Sequence, residues 1–386
     1  MNRMASLRLA ASMAAGVALA APIVGAQQSP FNAHDDYTEY QLLDPATHQF
    51  HIVYYLGQRQ AGATTVLNQT RSGSAGSDIA VTDPRTGRPL KFEYRTGAEL
   101  AAAGEAGRLN PAEHYIRAFL PRPVPADGEG RVRIEKTYLD EKSYLTQGED
   151  IVFTRSLGIG RNAIVLPAGY ALASSNVAGQ VMTREDGRVK VAFENVNGYA
   201  AAVQIRGRRG AARPAVGLPV VERGFDFSKT LYDLGSPDDH RILVRHQYVE
   251  RRPGPGSAPA FLARHAMASP MVTDLDMGRV LDVRGAGADR TISLASPIEA
   301  GQSAHLRIAG ELIDPAYRRE GGELAWERVL HEPRTTILLP AGWEVTAVSS
   351  PGLVSTTREG RVALQIYNPR PEPTTVSIRA VAASKG

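Results

Sequence analysis

The stretch His331-Glu332-Pro333-Arg334-Thr335 begins the way a zinc-hydrolase helix begins, with His-Glu. In such a helix, histidines at i and i+4 share one face and hold the metal. The Glu between them works on the bound water. Here the fifth position is Thr335, and Pro333 opposes a helix interior, so a turn is expected instead. His48 and His51, with Asp44 nearby, form the other ligand-type group. Positions three apart on a strand point to opposite faces, so the two rings cannot share an ion without a bulge. The carboxylate pairs Asp35-Asp36, Glu149-Asp150 and Asp238-Asp239 could do acid–base work only if the fold set two of them across a cleft. As loop and turn residues they are expected in water. No G-x-S-x-G elbow, P-loop or dinucleotide fingerprint occurs, and the absence of Cys removes thiolate nucleophiles and thiolate metal sites. No catalytic, cofactor-binding or metal residue is assigned, and no cofactor is expected.

What positions these residues is an internal duplication. Leu166-Pro167-Ala168-Gly169-Tyr170 returns as Leu339-Pro340-Ala341-Gly342-Trp343. At the same offset Tyr144 falls on Tyr317, Phe153 on Trp326, Arg155 on Arg328, Arg161 on Arg334 and Asn195 on Asn368. About 20 of about 63 positions match without a gap, far above chance. With gaps, the match extends back to His48 and His240, and to Val81-Thr82-Asp83 and Val272-Thr273-Asp274. The recurrence of His48 as His240 favours a shared structural role, a hydrogen bond that fixes the turn at Pro45 or Pro237. The repeated aromatics could form a sugar or peptide platform, but their placement on the same β positions favours core packing.

Period-2 patterning dominates. Phe50, Ile52 and Tyr54 share a face, as do Ile242, Val244 and His246; Val132 and Ile134 alternate with arginines, and Val189, Val191 and Phe193 with polar neighbours. Glu185-Asp186-Gly187 and Arg358-Glu359-Gly360 read as hairpin turns. The one helix expected is short, with Asn110 as cap, Pro111 at its first position, and Glu113 to Phe119 as its body. The fold class expected is all-β, two tandem homologous antiparallel β-sandwich repeats. The boundaries are a leader at 1–26, a first repeat at 27–206, a Pro/Gly/Arg-rich linker at 207–222, a second repeat at 223–381 and a tail at 382–386.

The leader reads as a signal peptide: Arg3 and Arg8, an apolar run from Leu9 to Ala21, and small residues Val24-Gly25-Ala26 before a cut near Ala26. Export to the periplasm or beyond is expected, with no transmembrane segment in the mature chain and no disulfide. The formal net charge is +4. Two of those charges lie in the leader, so the mature chain sits near +2, at about neutrality. Nucleic acid is therefore not an expected partner. The one locally basic stretch, Arg206 to Arg213, falls at the junction of the repeats.

Three pieces resemble a known family. They are the strand after Asp44-Pro45-Ala46-Thr47-His48-Gln49-Phe50, the turn from Asp83 to Leu90, and Pro167 to Tyr170, which Pro340 to Trp343 repeats. Together they resemble the N-terminal β-sandwich of the glycyl aminopeptidase family of zinc peptidases. The resemblance implies a fold and an ancestry. Catalysis in that family belongs to a separate helical domain carrying H-E-x-x-H, a motif missing here, and residues after 381 leave no room for such a domain. No catalytic residue is carried over. The function expected is a non-catalytic binding or scaffold protein of a bacterial-type cell envelope, contacting an envelope protein or polysaccharide. The alternatives are a peptidase- or glycosidase-like hydrolase whose site is not visible in sequence, and a purely structural envelope protein.

Overall fold

The computed structural model describes residues 36–70, 75–105, 109–126, 128–195, 200–210, 228–267, 269–357, 359–368 and 372–383. The leader expected at 1–26 and most of the expected linker lie outside these. The described residues are nearly all β. The first half contains β1 (Tyr37–Leu42), β2 (Gln49–Gln58), β3 (Thr65–Gln69), β4 (Ala75–Thr82), β5 (Phe92–Thr96), β6 (His114–Phe119) and β7 (Gly130–Leu139). It continues with β8 (Tyr144–Gln147), β9 (Asp150–Leu157), β10 (Arg161–Val165), β11 (Tyr170–Ser175), β12 (Gln180–Thr183), β13 (Val189–Glu194) and β14 (Ala201–Arg209). The second half contains β15 (Lys229–Leu234), β16 (Arg241–Glu250), β17 (Gly254–Ser257), β18 (Met271–Asp274), β19 (Arg279–Leu281), β20 (Val283–Arg284) and β21 (Thr291–Ile298). Then come β22 (Ala304–Ile313), β23 (Arg318–Glu320), β24 (Glu323–Leu330), β25 (Arg334–Leu338), β26 (Trp343–Val348), β27 (Leu353–Thr356), β28 (Val362–Tyr367) and β29 (Thr374–Ala382). Two short helices interrupt them, α1 (Gly97–Ala102) and α2 (Ala260–Arg264).

The two halves run in the same strand order. The large sheet of the first is β12-β13-β10-β1-β2-β7-β4, and that of the second is β27-β28-β25-β15-β16-β22-β18-β19. The smaller sheets β11-β14-β9-β8 and β26-β29-β24-β23 correspond in the same way, as do β3-β6-β5 and β17-β21-β20. Pairing is antiparallel except at one place in each large sheet. The opening strand β1 runs parallel to β10, and β15 runs parallel to β25.

Alternation explains the packing. Phe50, Ile52 and Tyr54 point from β2 into a core closed by Tyr40, Tyr138, Tyr144 and Phe153. Ile242 and Val244 do the same on β16, against Tyr232, Tyr317 and Trp326. The rings meet edge to face, Phe50 with Phe153 at 5.5 Å and Tyr232 with Trp326 at 5.4 Å, the geometry aromatic quadrupoles favour.

On the opposite face of the first large sheet, Glu39 and Lys190 are buried together at 3.0 Å. Burial would raise the Glu39 carboxyl, but Lys190 and Arg184 outweigh it and hold the group down to about 2. The matching places of the second sheet hold an apolar trio instead, Leu231, Leu338 and Ala363.

Several expectations are corrected. Residues 114–119 form a strand, β6, not a helix. Asn110 does accept from the backbone N–H of Ala112, but His114-Tyr115-Ile116 then enters a ladder between β3 and β5, and that pairing overrides the cap signal. The helix that does form, α1, is announced by Thr96 and Glu99, a reciprocal capping box. Residues 207–209, expected in the linker, belong to β14, which runs through Arg209. Val203, Ile205 and Gly207 face inward there, while Arg206 and Arg208 reach outward to Asp150. The basic stretch is thus in part a paired strand face; Arg213 lies outside the described residues. Trp343 is only half-buried, with Arg319 over its ring at 5.2 Å, whereas Tyr170 is buried. The β12–β13 hairpin turns at Gly187 with φ 79°; in the β27–β28 hairpin Gly360 takes φ 77°, and Arg358 lies outside the described residues.

Candidate functional site

The repeated polar residues are internal staples. His48 and His240 adopt left-handed backbone, φ 52° and 54°, which L-residues rarely take. Each ring compensates by donating from Nδ1 to a repeated tyrosine, His48 to the Tyr144 carbonyl at 2.9 Å and His240 to the Tyr317 carbonyl at 2.5 Å. Each tyrosine hydroxyl donates back, Tyr144 to the Leu43 carbonyl and Tyr317 to the Gly235 carbonyl. The turn is thereby tied to the sheet twice. Arg155 and Arg328 each hold one aspartate, Asp140 at 2.9 Å and Asp314 at 2.7 Å. His51, which is not repeated, faces away from His48 and meets Glu135 and Thr137 on β7.

The carboxylate pairs do not converge. Asp150 opens β9 and is nearly covered by Arg206 and Arg208 instead of standing free in water. Asp36 accepts from the Gly57 N–H, Asp238 meets Arg319 at the surface, and Asp35 lies outside the described residues. His331-Glu332-Pro333 is the loop between β24 and β25, as the proline requires. His331 is exposed there, but Glu332 is buried.

What sequence reasoning missed is the seam between the halves, which is built from charge. Glu129 is 5% exposed and accepts from His305 Nδ1 at 2.9 Å and from Arg59 Nε at 3.3 Å. Burial opposes its charge, but the His305 hydrogen bond with Arg131 and Arg59 holds the carboxyl far below the usual range. Arg131 reaches across to Asp276 at 2.9 Å. Arg85 lies near Asp274 and Asp276 and donates to Ser296 Oγ at 2.7 Å. Backbone bonds reinforce the seam, Glu129 N–H to the Leu275 carbonyl and Ser303 N–H to the Arg85 carbonyl, both 2.8 Å. At the far end Glu194 accepts from Arg334 and Gln365, beside a small apolar patch of Tyr37, Ala163, Met182, Ala192 and Tyr367. Paired, hydrogen-bonded charges can be buried in this way; unpaired they could not. Arg131, His305, Glu194, Arg334 and Gln365 are polar residues of strands, and Arg59, Arg85, Glu129 and Asp276 lie in the turns beside them, positions that sequence reading assigns to water.

Along this seam opens a cleft of about 460 Å³. Tyr55, Arg131 and Arg133 line it from the first half, and Val249, Arg251 and Gln302 from the second. Its one carboxylate, Asp83, is engaged by its own turn, accepting from the Arg85 N–H and the Thr86 hydroxyl. The guanidinium of Arg133 lies 5.9 Å from the Tyr55 ring centroid. The cleft thus sets guanidinium groups, Arg131 paired with Asp276 and Arg133 with Glu135, beside an aromatic ring. A second groove of about 480 Å³ lies on the first half alone, lined by Thr154, Ser156, Asn176 and Gln204.

No family model and no curated protein matches the sequence. Among solved structures, the chain is similar to an M1 zinc metallopeptidase from Deinococcus radiodurans at 9% identity and TM-score 0.30, over 45% of this chain and 41% of that one. A variant of a two-domain M1 zinc metallopeptidase bound to L-arginine gives 10% identity and TM-score 0.30, over 46% and 43%. The collagen adhesin from S. aureus gives 6% identity and TM-score 0.13, over 89% of both chains. The chain spans less than half the length of the metallopeptidases. A likeness this slight carries no role over to it.

Proposed function

We propose that the chain is an exported, non-catalytic binding module of a bacterial-type cell envelope, made of two duplicated β-sandwiches related to the N-terminal sandwich of the glycyl aminopeptidase type. The leader at 1–26 supports export. The cleft between the halves is its contact surface for an envelope protein or polysaccharide. One observation carries this reading: the cleft is lined from both halves, and the buried ion pairs beneath it fix its two walls relative to each other. Recognition by a preorganised surface loses less entropy on binding than recognition by a mobile one. The test is capture from envelope extract with the chain from Gln27 onward, beside an Arg133→Glu/Arg251→Glu variant. Both side chains are at least partly exposed, so the variant is expected to fold. Wild-type capture of a discrete component, reduced tenfold or more in the variant, is expected. Equal capture by both would remove the cleft from the proposal, and hydrolysis of a peptide or glycan substrate by the chain would remove the non-catalytic reading.

A further inference from the structure

A second cluster sits in the second half, where α2 packs against β16 and β15. Three rings stack there. His246 of β16 lies 4.1 Å from the Phe261 centroid at an interplanar angle of 6°, and Phe261 lies 4.0 Å from His265 at 20°. All three side chains are buried. His265 is fixed in one tautomer: its Nδ1 donates to the Phe261 carbonyl at 2.9 Å, so its Nε2 accepts from the Tyr232 hydroxyl at 2.8 Å. His246 Nδ1 meets Thr230 Oγ1 at 2.9 Å. Arg264, the last residue of α2, donates to Glu332 Oε1 at 2.8 Å, while Glu332 Oε2 is buried with no hydrogen-bond partner.

These contacts fasten α2 to the sheet, and the Tyr232 hydroxyl bond to His265 Nε2 requires that ring to be neutral; the Thr230 hydroxyl beside His246 can donate or accept. The groups facing the two imidazoles are Thr230 and Tyr232 from β15, Tyr248 from β16, Phe261 and Arg264 from α2, Arg328 from β24, and Glu332 from the following loop. A proton added to His265 Nε2 would turn an acceptor into a donor opposite the Tyr232 hydroxyl, and it would place a cation beside Arg264 and Arg328.

We propose that this stack is an acid-released fastening: taking up protons at His246 and His265 frees α2 from β16 and β15. The first half has no equivalent, since Tyr54 stands where His246 does and Ile159 where Glu332 does. Burial is the main force keeping both rings neutral, and it brings His246 down to about 4. Once α2 opens, the rings regain water and their ordinary value near 6.5. A histidine so shifted favours the open form at pH 4.5, relative to pH 7, by a factor on the order of 50. Release would uncover Phe261 and Leu262, which are now buried.

Hydrogen exchange of the full chain, corrected for intrinsic rates, tests this at pH 7 and pH 4.5. Residues 258–267 are expected to lose protection by a factor of roughly 50 or more while the first half keeps its own. His246→Tyr, which places the first half's residue in the stack, should blunt the loss at pH 4.5. Equal protection of α2 at both pH values, or equal loosening of both halves, would overturn the proposal. Should the variant not fold, NMR titration of the wild-type imidazole protons decides alone. Transitions for His246 and His265 well below the ordinary value support the fastening, and transitions at about 6.5 refute it.

Discussion

The two halves share a frame and differ in what they bury inside it. Both carry the His–Tyr turn staple and the Asp–Arg pair, in the same strand order. At matching places the first half has Tyr54, Ile159 and Lys136, and the second has His246, Glu332 and Gly310. Lys136 is fully buried, its Nζ 2.6 Å from Asn68 Oδ1 and between the rings of Tyr54 and Tyr138. At Gly310 a Cβ would come within 3.0 Å of the Met267 methyl carbon, Cε, so the segment after α2 takes the room that the lysine stem occupies in the first half. The frame thus tolerates opposite solutions, a cation among tyrosines in one copy and a histidine stack under a helix in the other. Residues the two halves share hold the frame; residues that differ set what each half buries inside it.

The hardest test of the shared frame is to break the same pair twice. Asp140→Ala and Asp314→Ala each leave a guanidinium buried without its carboxylate, a loss of about 3–5 kcal/mol in urea unfolding. Asp140 should cost more, because its pair is the better covered, with side chains 4% and 9% exposed against 17% and 12% for Arg328 and Asp314. A loss under about half a kcal/mol in one half alone would mean that the two pairs are not equivalent supports.

A smaller but more specific effect separates the copies by pH. Burial, with Arg155 adding to it, lowers Lys136 to about 7, whereas the unfolded chain keeps that proton to about 10.5. The unfolded state therefore binds more protons between these values, and stability rises with pH. The first half should gain about 2 kcal/mol from pH 7 to 9, and Lys136→Met should remove the slope. In the second half the depressed histidines act in the other window. Stability is whole above about 6.5 and falls as pH drops toward 4, by up to about 3 kcal/mol for His246. The carboxylates held low, Glu39 and Glu332 among them, begin to matter only below their ordinary range. Both tryptophans, Trp326 and Trp343, lie in the second half, so their fluorescence follows that half directly. Identical pH slopes in the two halves would end the comparison.

Much of the frame could be read from the sequence because it was written twice. The pairing of His48 with His240 and of Tyr144 with Tyr317 pointed to structural roles before any contact was known, and alternation placed Phe50, Ile52 and Tyr54 in the core. The failures have physical causes. Asn110-Pro111 carries a real turn signal, but sheet pairing on both sides of β6 outweighs a local cap. Glu129, Arg131, Asp276 and His305 look like solvated outward residues until the two halves meet. Glu332 sits in a loop, as Pro333 demands, yet its burial depends on α2, whose residues lie some seventy positions earlier. His265 follows Phe261 by four positions, a spacing that would have suggested their contact had a helix been expected there.

The contrast between Glu39–Lys190 and the trio Leu231, Leu338 and Ala363 bears on how a chain with two halves of like strand order avoids tangling with itself. Each opening strand, β1 or β15, must wait for a parallel partner formed far downstream, and long-range pairing of this kind is slow. Both openings carry the same Thr-x-Tyr core, Thr38 and Tyr40 or Thr230 and Tyr232, so β1 could be captured by β25 or by a neighbouring molecule during synthesis. The charges forbid the exchange. In the wrong sheet Glu39 would be buried against Ala363 with no cation, and Leu231 would leave Lys190 stranded. The buried pair would therefore penalise a strand placed in the other sheet. A Glu39→Leu/Lys190→Ala chain, made apolar like the second copy, should refold with a fraction of strand-exchanged monomers or dimers on a sizing column, and a refolding yield equal to wild type would show that no such penalty is needed.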